Sequence, residues 1–326
     1  MTNEDFCNSS RILEDCKIKA KLSELIIKQL DHKDATPINI YEIRNYIYYG
    51  FNDSKLRPKY WKILLNYFPK NKFTSENFYK QARKLYIDLA NEESKIDRLT
   101  ESKNIVHLEL VRNGFQNKEL EMFERILTVF CKVNPCIGYV QGMEHLLNVI
   151  YTVLSKDGDI DNLKFLEEDS FCLFNNLISE LSNNFIKENE KQNVGIKNRI
   201  AQVFEIVKEK DHKLYKALEK KKLLETLFPF RWILMMFCME YPTDKVVWLW
   251  DKILSDAYRF EILLYCAAAA IILMRDIIIN SEFEECMVIL QKPSIISVEL
   301  LFDIADTMRR ENRDINEIIQ DRMLKK

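Results

Sequence analysis

The sequence predicts an all-α fold in two helical lobes, with no sheet. Glycine and proline are scarce, at six and seven residues in a chain of 326, whereas β-rich folds need many turn residues. Apolar side chains recur at intervals of three and four residues, which is the period of an amphipathic helix. No stretch of useful length alternates between apolar and polar residues, as a half-buried strand would.

Composition and charge describe an ordinary globular chain. Hydrophobic residues make up 47% and charged residues 30%, which is typical of a soluble domain. The formal net charge is −2, so the basic field of a nucleic-acid-binding protein is missing and we expect no nucleic acid partner. The eight cysteines are scattered and several lie in apolar runs, which is typical of reduced thiols in the cytosol.

We expect one main domain with a polar segment at each end. Residues 1–40 form a polar N-terminal segment with a possible peripheral helix, and no signal peptide is visible there. The domain occupies residues 41–315, with its lobes meeting near the polar stretch 187–193. Residues 316–326 are expected to be a polar tail. The longest apolar run, 262–274, is shorter than the ~20 residues of a bilayer span and predicts a buried core helix.

The helices of this domain follow from the apolar periodicity, and the loops from charged stretches. A first helix is predicted to open at Arg57-Pro58 and to end before Pro69. Further helices are predicted at 75–92, 119–133, 138–154, 171–181, 196–207, 214–218, 230–239, 246–254 and 260–279. The charged segment 92–104 is predicted to be a loop. Three tryptophans in apolar helical patterns are expected in the core: Trp61, Trp232 and Trp250.

One window, residues 134–143, differs from the rest of the chain. It reads Asn-Pro-Cys-Ile-Gly-Tyr-Val-Gln-Gly-Met and holds two of the six glycines. Gly142 falls inside the predicted helix 138–154, where glycine costs ~1 kcal/mol relative to alanine, so we infer a close approach by another helix or a partner. In that helix Gln141 lies about 200° from the inward Tyr139 and points outward. Tight helix packing with a solvated glutamine and contact with a bound partner both explain the pattern.

This window resembles the signature of the TBC-domain family, the GTPase-activating proteins of Rab GTPases. The family pattern is Tyr-x-Gln-Gly, after Asn-Pro and Gly. Other family segments follow in order, as Leu-Arg-x-x-x-Trp-Lys-x-Leu-Leu at 56–65, a Phe-x-x-Arg-Trp type at 228–232 and Leu-Trp-Asp at 249–251. Residues 169–174 and 184–186 resemble the branch known as member thirteen. The resemblance covers residues 45 to 310 and implies a two-lobed helical TBC domain.

The resemblance also implies an arginine finger, in the pattern Ile-x-x-Asp-x-x-Arg. The best match ends at Arg112, with Val106 in place of Ile and Glu109 in place of Asp. Asn113 stands where Thr commonly follows. Glu109 can still pair with Arg112 at the i,i+3 spacing. Arg98 is a competing candidate, but its spacing does not fit the pattern, and we favour Arg112.

The Tyr-x-Gln-Gly motif makes Gln141 the second finger, which would orient the attacking water. Supporting or partner-binding roles fall to four neighbours: Glu109, Tyr139, Gly142 and Met143. Glu144 stands where many relatives carry Asn, a departure expected to alter contact with the partner.

The implied function is activation of GTP hydrolysis by a GTP-bound Rab small GTPase, with both fingers supplied in trans. The Rab holds GTP and Mg²⁺, so we expect no cofactor, no metal site and no independent enzymatic activity in this chain. The resemblance implies a cytoplasmic protein of vesicle trafficking, peripheral to endomembranes and in contact with them only through its partner. The alternative is a non-catalytic Rab-binding adaptor with a degenerate TBC domain, which the departures in the finger motif favour.

Overall fold

The structure, a computed structural model, describes residues 24, 27–28, 38–50, 53–68, 75–92, 97–158, 160–186, 195–311 and 313–323. Over these residues it contains α-helices and two 3₁₀ turns, and no strand. The predicted all-α fold is therefore confirmed. The expected N-terminal helix and the polar stretch 187–193 lie largely or wholly outside the described residues. No helix in the described ranges is long and apolar enough to cross a membrane.

The helices are numbered here in chain order. The first nine are α1 Ile40–Tyr49, α2 Arg57–Leu64, α3 Ser75–Asn91, α4 Asp97–Arg112, α5 Asn117–Val133, α6 Met143–Leu154, α7 Ile160–Leu163, α8 Leu166–Glu180 and α9 Ser182–Phe185. The others are α10 Ile196–Lys210, α11 His212–Lys220, α12 Phe230–Leu234, α13 Thr243–Ser255, α14 Glu261–Leu273, α15 Arg275–Asn280, α16 Phe283–Leu290, α17 Val298–Arg310 and α18 Ile315–Met323.

Two sets of helices pack around separate central elements. In the first, α5 and α8 contact each other and α3, while α4 packs along α5 and α6 along α8. In the second, α14 contacts α10, α12 and α17. Helix α13 belongs to both, because it touches α1, α2 and α6 as well as α14 and α17. The site described below lies in the first set, at the end of α4 and the beginning of α6.

Helix α14 is the buried core helix that its apolar run predicts. Ile262 is fully buried, and no residue from there to Ile272 is more than 5% exposed except the half-buried Tyr265. A helix that is apolar on all sides must be covered on all sides. The four consecutive alanines at 267–270 keep its diameter small, which allows α10 and α17 to approach it closely.

Two sequence segments 190 residues apart meet in the core at Asp251. This buried carboxylate on α13 accepts hydrogen bonds from the Trp61 Nε1 at 2.7 Å and the Tyr60 hydroxyl at 3.1 Å. It also forms an ion pair with Arg57 at 2.9 Å. The Trp61 and Trp250 rings stack with centroids 5.9 Å apart. Trp61, Trp232 and Trp250 are at most 1% exposed, so their expected core location is confirmed.

Several helix boundaries differ from the expected ones. Residues 97–104, predicted to be a loop, form the first half of α4, because Val106 and Leu110 bury one side of the helix against α5. Helix α12 stops at Leu234 rather than 239, since Met236 and Phe237 have positive φ angles that end a right-handed helix.

Two further differences lie in the C-terminal half. The predicted helix 260–279 breaks at Met274 into α14 and α15. At residues 316–326, where we expect only a polar tail, the chain continues the helix α18, whose Ile315 and Ile318 are buried. Packing against α17 therefore orders a segment whose composition alone does not predict burial.

Candidate functional site

Arg112 ends α4 with its side chain directed into solvent. Val106 and Leu110 are fully buried on the opposite side of the helix and fix it against α5. The Arg112 side chain is 61% exposed, and its Nη2 lies 2.7 Å from the Glu109 Oε2 one turn earlier. The predicted i,i+3 pair of Glu109 and Arg112 is therefore present. It leaves most of the guanidinium accessible to a partner.

Gln141 lies in a turn rather than in a helix. The predicted helix 138–154 begins only at Met143, and residues 138–142 form a non-helical segment, ending in a turn at 141–142, that we call the finger turn. Gly138 and Gly142 have φ angles of 65° and 100°, which L side chains rarely adopt. The argument that places Gln141 at about 200° from Tyr139 on a helix is therefore wrong. Gln141 is nevertheless exposed, because the turn projects it outward.

Gly142 meets two constraints at once. It is the N-cap of α6 in a left-handed conformation, and it is buried. A Cβ added to it would lie 2.9 Å from both the Sδ and the Cε of Met235. The close approach inferred from the sequence is present, and the approaching group is a side chain that follows α12.

Glu109 brings the two finger candidates together. Its Oε2 accepts a long hydrogen bond of 3.4 Å from the Gln141 Nε2, and the same atom contacts Arg112. The Arg112 and Gln141 nitrogens are therefore no farther apart than the sum of those two distances. Two polar side chains from segments 29 positions apart thus converge on one exposed face. Glu109 itself is 17% exposed.

A second carboxylate, Glu144, lies beneath this face and is only 1% exposed. Its Oε2 accepts hydrogen bonds from the Tyr139 hydroxyl at 2.6 Å and from the Gly142 backbone N–H at 3.1 Å. Its Oε1 accepts from the Asn113 Nδ2 at 2.9 Å. Burial and the Glu144 contact together raise the pKa of the Tyr139 phenol.

The remaining site residues divide between support and solvent. Met143 is fully buried, and its Sδ accepts from the Val140 N–H at 3.4 Å, so it anchors the finger turn from inside. Tyr139 is half-buried and packs against the core. Of the four predicted supporting residues, Glu109 alone contacts both finger candidates through a hydrogen bond or an ion pair.

Arg98 lies at the other end of α4. Its backbone is in the first turn of that helix, 14 residues before Arg112, which corresponds to roughly 21 Å along the axis. Gln141 contacts Glu109 in the last turn. The finger turn therefore neighbours Arg112 and not the end of α4 that carries Arg98, whose side chain lies outside the described residues.

Sequence reasoning noted Asn113 and Glu144 only as departures from the family pattern. The structure shows that they contact each other, at 2.9 Å. Their positions in the sequence, 31 residues apart, carry no signal of this contact. Met235 was missed for the same reason, since nothing in its local sequence indicates that it reaches Gly142.

Residues 54–279 match the family model described as the Rab-GTPase-TBC domain. This match covers well over half of the chain, so the chain belongs to the Rab-GTPase-TBC domain family. Arg112, Gln141 and the residues that connect them all fall inside the matched range. The family that the sequence motifs predict is therefore confirmed.

Two curated relatives carry the same name. The chain is 33% identical to TBC1 domain family member 13 of Mus musculus and 32% identical to that of Homo sapiens, each over 190 residues. Each match covers 58% of this chain and 47% of the relative. The chain thus spans about half the length of these curated relatives, and its predicted similarity to member thirteen is confirmed.

Two solved structures share the fold. The crystal structure of the Ypt/Rab-GAP domain of Gyp1p has a TM-score of 0.75 at 24% identity, and the match covers 90% of this chain and 98% of that one. The Chlamydomonas flagellar RabGAP TBC domain has a TM-score of 0.60 at 17% identity, with 90% and 93% covered. At these identities the likeness concerns the fold alone.

Proposed function

We propose that this chain is a GTPase-activating protein that accelerates GTP hydrolysis by a GTP-bound Rab small GTPase. Arg112 and Gln141 are its two fingers, supplied in trans. One observation carries the proposal: both side chains contact the same Glu109 oxygen, on one exposed face. Groups that converge on a single atom in the free protein are close enough to act together on a single γ-phosphate.

Arg112 supplies charge to the transition state. Water attacks the γ-phosphorus while the bond from that phosphorus to the β–γ bridging oxygen breaks, giving GDP and phosphate. Negative charge is then spread over the phosphoryl oxygens, and a planar guanidinium offers them several donors and a permanent positive charge. A finger of this kind contributes on the order of 10³- to 10⁵-fold in rate, which is about 4 to 7 kcal/mol of barrier.

Gln141 acts on the attacking water. Its amide carries both a donor and an acceptor, so it can accept a hydrogen from the water and donate to a phosphoryl oxygen. The finger turn supports this role because it projects the side chain outward and its ends are fixed by buried groups. GTP and Mg²⁺ belong to the Rab, and this chain supplies no cofactor.

Glu109 holds both fingers while no partner is bound. Its contact with Arg112 at 2.7 Å neutralises the guanidinium and limits its freedom. The phosphate oxygens of the bound GTP replace this carboxylate when the partner docks. The contact also supports an active enzyme over the adaptor alternative, because the longer Glu side chain at 109 still forms the ion pair.

The proposal places the protein in the cytoplasm, at the surface of the endomembranes to which its Rab is anchored. Contact with the membrane is then indirect, through the partner. The family supports this site of action, and a role in vesicle trafficking follows from the Rab partner. Which Rab is bound depends on surface contacts around the two fingers.

A hydrolysis screen tests the proposal. Purified protein in catalytic amounts is added to each member of a panel of GTP-loaded Rabs, and phosphate release is followed. We expect at least one Rab to hydrolyse GTP many-fold faster than its intrinsic rate. A folded protein that leaves every Rab at its intrinsic rate, even at stoichiometric concentration, would refute it.

A further inference from the structure

The residues directly after the two fingers are joined by one buried carboxylate, that of Glu144. Asn113 follows Arg112 directly, and Gly142 follows Gln141 directly. The Glu144 carboxylate accepts from Asn113 through one oxygen, and from Gly142 and Tyr139 through the other. The end of α4 and the finger turn are thus tied to each other through this side chain.

The contact is specific to a carboxylate. All three partners approach as hydrogen-bond donors. An ionised carboxylate offers only acceptor oxygens, so it can satisfy all three. An amide in its place would turn an NH₂ group toward one of them. The Gly142 N–H cannot rotate away, and the Asn113 Nδ2 also donates to the Glu109 backbone oxygen at 3.0 Å, which fixes its orientation.

The surroundings make the contact costly to lose. Glu144 is 1% exposed, and water does not replace a missing partner there. Of the basic groups in the described part of the chain, only the His145 Nε2 comes within ion-pair distance, at 3.6 Å. The neutral donors therefore carry most of the compensation for burying this carboxylate.

We propose that Glu144 is a positioning residue, which holds Arg112 and Gln141 at a fixed separation through Asn113 and Gly142. The inference rests on the proposed function and adds a residue to its site. Glu144 touches neither the nucleotide nor the water. It acts by keeping both fingers aligned before the partner arrives, and misplacement by about 1 Å costs on the order of 100-fold in rate.

Three variants test this. Glu144→Gln keeps the size of the side chain but sets an NH₂ against a donor. Asn113→Ala removes one donor at an exposed position, so it leaves the core intact should Glu144→Gln fold poorly. Asp211→Asn is the control at another buried carboxylate, directly after α10: Asp211 accepts from the Leu214 backbone N–H at 2.9 Å and pairs with Arg275 at 2.6 Å.

The first readout is independent of any GTPase. Hydrogen–deuterium exchange is measured on peptides covering residues 109–115 and 139–143. We expect faster exchange in both segments for Glu144→Gln and Asn113→Ala, and no change there for Asp211→Asn. The inference would be overturned if one of the two segments exchanged at the wild-type rate in both Glu144→Gln and Asn113→Ala. This outcome does not depend on whether the protein activates a GTPase.

The second readout is hydrolysis by a Rab that the wild-type protein stimulates in the panel. Glu144→Gln should lower the rate at saturating Rab by roughly 10- to 100-fold, with affinity for the GTP-bound form within about threefold. Asn113→Ala should show a smaller loss, and Asp211→Asn none. Wild-type rates in both test variants would overturn the positioning role while leaving the proposed function intact. A wild-type protein inactive on every Rab would refute the proposed function, and hydrogen–deuterium exchange would still show whether Glu144 joins the two segments.

Discussion

Gly142, the last residue of the finger turn, leads into α6 with a backbone conformation that other residues rarely adopt. Its φ of 100° lies in the region where an L side chain is strained, and Met235 occupies the space of a Cβ. The Met235 tip is flexible and can move, so the backbone supplies most of the cost. Replacement by alanine should therefore act mainly through the conformation of the turn.

Gly142→Ala is expected to lower the free energy of unfolding by ~1–2 kcal/mol. Gly158→Ala is the matched control, because a Cβ there meets nothing within 4 Å and its φ is not in the positive region. That variant should stay within about 0.5 kcal/mol of wild type. Urea denaturation measures both. Equal stability of the two variants would contradict the conformational role of Gly142.

Some site residues could be predicted from the sequence, and some of their contacts could not. Arg112 and Gln141 could be selected because their motifs have fixed local spacings. The Asn113–Glu144 contact could not, since it depends on how two helices approach one another. Glu109 is intermediate: its pairing with Arg112 follows from helical spacing, but its contact with Gln141 requires the fold.

At the scale of elements, α4 has an apolar face that the described chain covers only in part. Ile105, Leu108 and Val111 are 46%, 67% and 52% exposed. They follow each other at three-residue intervals and run toward Arg112 on the same helix. Because this face continues directly to Arg112, the proposed function leads us to expect that a docked Rab covers it.

Leu108→Glu should therefore weaken binding of the GTP-bound Rab by roughly tenfold. The rate at saturating Rab should change little, since Leu108 does not touch the reacting atoms. Val288→Glu is the control, because Val288 is an apolar residue that is 59% exposed on a different helix, α16. Titration of Rab in the hydrolysis assay separates affinity from rate. A similar loss of affinity in both variants would count against a docking role for α4.

The elements that were predicted well are those with a complete apolar face. Helix α5 was expected at 119–133 and spans Asn117–Val133, and the apolar run after residue 262 became the buried α14. The first half of α4 is not predictable in this way, because its charged local sequence resembles a loop. The start of α6 was placed too early because a turn with two positive-φ glycines retains a helical spacing of apolar residues.

At the scale of the whole molecule, Asp251 and Trp61 join α2 to α13, which contacts both sets of helices. Trp61→Ala removes a fully buried ring that stacks on Trp250 and donates to Asp251. We expect a loss of ~3–5 kcal/mol in the free energy of unfolding. The hydrolysis rate of the protein that remains folded should stay at the wild-type level, because Trp61 stacks on Trp250 and donates to Asp251, away from Arg112 and Gln141.

Thermal denaturation, with activity measured well below the melting temperature, tests this. Trp248→Ala should cost less, because Trp248 is only partly buried. A Trp61→Ala protein with an unchanged melting temperature but no activity would place this residue in the functional site instead of the core.

The whole-molecule account depends on Arg112 and Gln141 acting together. The most direct measurement is single-turnover GTP hydrolysis on a Rab that the wild-type protein stimulates, alongside affinity for its GTP-bound form. Arg112→Ala should slow stimulated hydrolysis by on the order of 10³- to 10⁵-fold, with binding largely kept. Gln141→Ala should also slow it, and the double variant should lose less than the product of the two.

Arg125→Ala is the matched control, because Arg125 is a 49% exposed arginine paired with Glu167. It should keep the wild-type rate, whereas Arg112→Lys should recover little, since lysine lacks the planar fork. The account predicts a loss confined to the Arg112 and Gln141 variants. Arg112→Ala at the wild-type rate, or a wild-type protein that binds GTP-loaded Rab but accelerates hydrolysis by none of the panel, would contradict it.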